Sequence, residues 1–233
     1  MYNLIHMSRT ELFLCTIVVL IVIWIYYMQF YHISTECKIF VDDLCNYNVL
    51  KTGDLILFKA YDNFRSVFHG SYFGHIGMVY IYNEIPMLFE ANGVDATPLK
   101  PHHSKLGMYL TPLEERIKKY KGTCFLKPLS TPLPSTLIED FKYFIDYAMN
   151  NFKYDYNIVS GSVKRWLGLA KCNTNTDCGQ LVFLCLMKLK LLAPEEYDIP
   201  RLHYLKYVCE ISNLQYGYKY LPLVEIIDHP FAF

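Results

Sequence analysis

From Leu12 to Phe30 the chain is almost wholly apolar (LFLCTIVVLIVIWIYYMQF), and no formal charge follows until Glu36. At about 1.5 Å rise per residue, roughly 20 helical residues cross the hydrocarbon core of a bilayer. The pattern therefore predicts a single-pass transmembrane anchor within residues 1–35 and a membrane location. Trp24, Tyr26, Tyr27 and Tyr31 crowd the C-terminal half, where an aromatic belt would sit. A cleavable signal peptide fits less well. The apolar stretch is too long, and YYMQFYHIST offers no small-x-small cleavage site. Orientation is not encoded, because Glu11 offsets His6 and Arg9, and Glu36 stands near Lys38.

Beyond the anchor the pattern changes to short apolar runs separated by turn signals, with no repeats and no low-complexity linker. Residues 36–233 read as one domain. DLILFKA (Asp54 to Ala60) follows the turn signal Thr52-Gly53 and predicts a buried strand. GHIGMVYIY (Gly74 to Tyr82) and MLFEAN (Met87 to Asn92) predict two more, joined by a tight turn near Asn83-Glu84. TCFLKPL (Thr123 to Leu129) predicts a fourth. Pro134 to Asn151 carries Leu137, Phe141, Phe144, Ile145 and Ala148 at helical spacing, with Ser135 as a cap. Asp177 to Leu192 is apolar nearly all round, which predicts a helix buried in the middle of the domain. Strands followed by helices give an α+β class.

Composition narrows the function. Twenty-two basic residues balance 22 acidic ones. Such a chain has no field to steer a polyanion, so nucleic acid is not an expected partner. The 21 tyrosines and few alanines read as codon bias of an AT-rich genome, which decides nothing about mechanism. Eight cysteines are present without a C-x-x-C pair, so the tight ligand pairs of a zinc knuckle are missing. His102-His103 stands in a loop pattern between Pro101 and Ser104, without a third ligand at helical or hairpin spacing. No Gly-rich phosphate loop occurs. Neither a metal nor a cofactor is expected.

The candidate chemistry centres on Cys178. Thr176 or Asp177 is a natural N-cap, which places Cys178 in the first turn of a helix. There the helix dipole and free backbone N–H groups favour a thiolate and can hold an oxyanion. Gly179 would let a substrate backbone approach. His75 lies between Gly74 and Gly77, and strand alternation puts His75, Gly77 and Val79 on one face. A Cys–His pair in hydrogen-bond range makes an activated nucleophile. With Asn83-Glu84 as a two-residue loop, Tyr82 pairs with Ile85, Gly77 faces Glu90 and His75 faces Asn92. Both Glu90 and Asn92 could then orient the imidazole.

TGDLILF, GHIGMVY, LFEANG, CFLKPL, FKYDYN and DCGQLVF, in that order, resemble the permuted branch of the NlpC-type papain-like superfamily. That branch takes in bacterial YiiX-like proteins, proteins of poxviruses and other large DNA viruses, and lecithin retinol acyltransferase-like enzymes. The resemblance covers roughly residues 50–190. It implies a circularly permuted papain-like fold, an antiparallel sheet packed on a central cysteine-bearing helix. Its catalytic histidine falls on His75 within Ser71 to Gly77, its acidic residue on Glu90, and its nucleophile on Cys178. Glu90 is thereby favoured over Asn92 as orienter, and Tyr154-Asp155 is implied to be structural. Gly179 departs from the pattern, since Ser is common there.

The expectation is a membrane-anchored cysteine hydrolase or acyltransferase. It would act on an amide, ester or thioester bond of a lipid, lipidated or peptide substrate, at the bilayer surface. A catalytically silent, membrane-tethered binding or scaffold protein with the same fold is the alternative. A redox role for Cys178 with Cys172 or Cys185 is weaker, because Cys185 lies two helical turns on, about 10 Å along the axis.

Overall fold

The computed structural model describes residues 9–30, 35, 37–46, 49–60, 71–92, 107–154, 175–192 and 204–228. The elements in chain order are α1 (Arg9–Phe30), β1 (Cys37–Phe40), α2 (Val41–Asn46), β2 (Leu55–Ala60), β3 (His75–Tyr82), β4 (Ile85–Ala91), β5 (Met108–Pro112), α3 (Leu113–Lys118), β6 (Gly122–Lys127), α4 (Ser135–Asn151), β7 (Lys153–Tyr154), β8 (Asn175–Thr176), α5 (Cys178–Lys188), α6 (Tyr204–Glu210) and β9 (Val224–Ile227). Seven strands form one sheet in the order β1-β9-β6-β2-β3-β4-β5, and β7 pairs with β8 separately. The class is α+β. The sheet, however, is mixed and not antiparallel throughout, because β1 runs parallel to β9. β1 and β9 come from opposite ends of the domain, and short-range patterning does not reveal such a pairing.

Alternation along the central strands builds two apolar layers. Leu55, Leu57, Ile76, Met78, Tyr80 and Phe89 face α4, α5 and α6 in the larger core. Ile56, Phe58, Val79, Leu88 and Cys124 face α2 and α3 on the opposite side. Because both faces are covered, the central strands read as continuous apolar runs. Asp54, fully buried at the start of β2, ties the layers to their turns. Its carboxylate accepts the N–H of Lys51 and of Leu129, each at 2.7 Å. Burial raises this carboxyl to about 6, against the pull of those two N–H groups and the Lys51 charge. The Gly-Asp signal at this strand is thus structural. Ser135 begins α4 inside the helix, and Pro134 occupies the cap position without a side-chain cap bond.

The expected membrane-crossing helix is not upheld. α1 does cover the apolar stretch, and its side chains from Leu12 to Trp24 are exposed. Among the described residues no helix is long and apolar enough to cross a membrane.

Candidate active site

The hairpin β3–β4 sets the register of the site. Asn83 and Glu84 both take positive φ, 48° and 66°, as a two-residue turn of the type I′ kind requires. Tyr82 consequently pairs with Ile85, and the ladder runs back to Met78 opposite Phe89, where it stops. His75 and Glu90 fall on one face just beyond that point. His75 Nε2 lies 2.6 Å from Glu90 Oε2, and the imidazole rests on the Phe58 ring at a centroid distance of 5.3 Å. Glu90 therefore meets the ring. Asn92 donates its backbone N–H to Gly107 at 3.0 Å.

Glu90 is fully buried, and a residue that the sequence did not single out makes this tolerable. Arg116 donates from Nε to Oε1 at 2.7 Å and from Nη2 to Oε2 at 3.2 Å. Burial pushes the Glu90 carboxyl up, but the Arg116 charge and the His75 hydrogen bond overcome it and hold the group at about 2. The carboxylate is thus ionised and can only accept, so Nε2 of His75 carries the hydrogen of this bond, and in a neutral ring Nδ1 is the acceptor. The guanidinium carbon sits 4.7 Å over the Phe58 ring and 5.6 Å over that of Tyr120. One signal could have found Arg116. It follows Leu113 by three residues and precedes Ile117, the two buried residues of α3, and so flanks the apolar stripe.

Cys178 opens α5, as its spacing predicts. Asp177 is the N-cap, and its Oδ1 accepts the N–H of Gln180 at 2.7 Å. The thiol is hydrogen-bonded by the backbone N–H groups of Ile76 and Gly179. Ile76 is the residue bonded to His75. Val79 directs its N–H to Asp54 on the β2 side, at 2.8 Å, so alternation turns Met78 and Ile76 toward β4. Past the last β3–β4 pair, the Ile76 N–H is open to the thiol. Cys178 therefore sits where β3 and β4 part, beside the His75 peptide. No hydrogen bond joins the thiol to the imidazole, which points to the Phe58 face while Cys178 belongs to the helical core.

The thiol differs from the expectation in its ionisation. Burial comes first and the Asp177 carboxylate second in pushing Cys178 well above the ordinary thiol value, and the two N–H groups only partly oppose this. The depth of the residue, 6 % exposed, and the charge of its own cap outweigh the helix dipole. Two glycines also act differently from their sequence reading. A side chain on Gly77 would strike Leu88 at 2.8 Å, so the close approach that this strand glycine marks is that of a leucine of β4. A side chain on Gly179 would meet the Leu205 backbone nitrogen at 2.5 Å, so this glycine admits α6 rather than a substrate.

Around the thiol, Cys209 of α6 is hydrogen-bonded to Ser71, and Lys127 donates to the carbonyls of Val208 and Cys209 at 3.3 and 2.6 Å. Burial lowers Lys127 to about 8. Tyr154 is buried, as a structural residue would be, with its Cβ 2.5 Å from where a side chain on Gly107 would stand. Asp155, Cys172 and His102-His103 lie outside the described residues. The cysteines that are described are free thiols, and no group of three or more His, Cys, Asp or Glu among the described residues could hold a metal.

No protein-family model and no curated protein matches the chain. Among solved structures it is similar to the metalloprotein yiiX from Escherichia coli O157:H7, at 17 % identity and a TM-score of 0.42. The likeness covers 60 % of this chain and 66 % of that one, just under two thirds of its length.

Proposed function

We propose that the chain is a thiol hydrolase or acyltransferase with Cys178 as nucleophile, His75 as base and Glu90 as orienter of the ring. One observation carries the reading: Glu90 takes Nε2 of His75, and the N–H of Ile76, the next residue of β3, meets the Cys178 thiol, which brings imidazole and thiol to the same end of β3 from opposite faces of the sheet. Cys178 Sγ would attack an amide, ester or thioester carbonyl as its proton passes to His75 Nδ1. A thioester forms, the carbon–nitrogen, carbon–oxygen or carbon–sulfur bond to the leaving group breaks, and the proton goes to that group. Water, an alcohol or an amine then cleaves the thioester with His75 again as base. Because the buried thiol is neutral at rest, proton transfer accompanies attack and no preformed ion pair is needed. The N–H groups of Ile76 and Gly179, which meet the thiol, would serve as donors for the developing oxyanion.

A second reading, a binding protein with this fold and no turnover, is favoured by the missing thiol–imidazole hydrogen bond. The two separate on treatment with p-nitrophenyl acetate. The enzyme reading expects acetylation of Cys178, seen by peptide mass spectrometry, that slows about 100-fold or more in His75→Ala. Equal labelling of wild type and His75→Ala favours the binding protein.

A further inference from the structure

We infer that Arg116 is a positioning residue of this site: its guanidinium neutralises the Glu90 carboxylate and aims Oε2 at His75. The inference rests on the reading of Cys178, His75 and Glu90 as a catalytic set and names how that set is held.

The geometry is specific. Oε1 of Glu90 receives Nε of Arg116, while Oε2 is shared between Nη2 of Arg116 and Nε2 of His75. With both oxygens engaged by a rigid fork, the carboxylate cannot rotate away from the imidazole. The fork is itself fixed, since the Phe58 ring that lies under the guanidinium also carries the imidazole. One aromatic side chain of β2 thus sets the positions of both partners of Glu90. The other titratable groups around the carboxylate are the Cys124 thiol from β6, which feels both Glu90 and Arg116, Tyr109 paired across on β5, and Tyr120 after α3. Burial raises the Cys124 thiol to about 12, so it brings no compensating charge. Among the described residues Arg116 is then the permanent cation against which Glu90 ionises. Without it a fully buried carboxyl protonates, and a protonated Glu90 both loses an acceptor site and turns freely.

The test uses the full chain and p-nitrophenyl acetate, reading Cys178 acetylation from about pH 4 to 9. R116Q is expected to slow acetylation by roughly ten- to a hundred-fold and to move the acid limb of the profile up by about one pH unit or more. In an H75A background R116Q should have no further effect, because Arg116 acts through the ring. A wild-type rate and acid limb in R116Q, or an equal slowing in the H75A background, overturns the inference. If H75A itself labels like wild type, the catalytic reading fails and this one falls with it. If H75A is slow and R116Q is not, only the role of Arg116 is lost. Should R116Q fail to fold, R116K decides, since it keeps the charge and loses the fork. A several-fold slower rate with the acid limb near that of wild type supports the inference, and an unchanged rate overturns it.

Discussion

Gly179 stands in backbone contact with Leu205: a Cβ placed on the glycine would lie 2.5 Å from the leucine nitrogen and 2.7 Å from its Cα. The start of α5, and with it the Cys178 thiol, is thus seated directly against the start of α6. Neither backbone can give way as a flexible side chain would. Gly179→Ala is expected to destabilise the fold by about 1–3 kcal/mol through overpacking. Gly179→Ser, which installs the residue common at this place in the resembling superfamily, should cost at least as much. Urea unfolding midpoints measure both, and an unchanged midpoint would refute the contact.

Glu90 links the site to acid stability. Its carboxyl sits at about 2 in the fold against an ordinary 4.5, chiefly because the Arg116 charge outweighs burial. A depressed carboxyl contributes stability that is present above about 4.5 and is lost as the pH falls through about 2. The size is about 3 kcal/mol. Glu90→Gln should lower the urea midpoint at pH 7 and leave a smaller further loss than wild type suffers on acidification to about pH 3.

Asp54 acts in the opposite direction. Burial raises it to about 6 from 3.8. The protonated form is the better one in the fold, so this contribution is fully present below 3.8 and is lost as the pH rises through about 6. Again the scale is about 3 kcal/mol. Asp54→Asn keeps one acceptor for the two N–H groups of Lys51 and Leu129, and should therefore be less stable than wild type at pH 4.5. It should also lack the decline between about pH 4.5 and 7 that Asp54 gives the wild type. Chemical denaturation at a series of pH values gives the slope directly.

The order of thiol reactivity follows from exposure. Cys37 is exposed, whereas Cys178 is buried with its thiol pushed up by burial and by Asp177. Iodoacetamide at pH 7 should modify Cys37 well before Cys178 in the native chain, as mass spectrometry of the peptides would report. Prior reaction of Cys178 would mean that the thiol is activated at rest, and that the loss of solvent does not dominate its ionisation.

Local patterning made much of this molecule legible. The turn at Asn83-Glu84 and the alternation on either side of it place Glu90 next to His75, because a hairpin register is a short-range property. The capping of α5 by Asp177 is likewise local, and it puts Cys178 at the first helical position. What the sequence did not determine depends on groups distant along the chain. Arg116 reaches Glu90 from a helix 26 residues on, with nothing in the short α3 segment to mark its partner. β1 joins β9 across almost the whole domain. The thiol of Cys178 owes its ionisation to burial under elements that no window around residue 178 contains. Helix caps and hairpin turns are fixed by a few neighbouring dihedrals, and so they can be read from neighbouring residues. Desolvation, salt-bridge partners and the close approach at Gly179 arise only when separate segments share one volume, and the tertiary structure alone decides those.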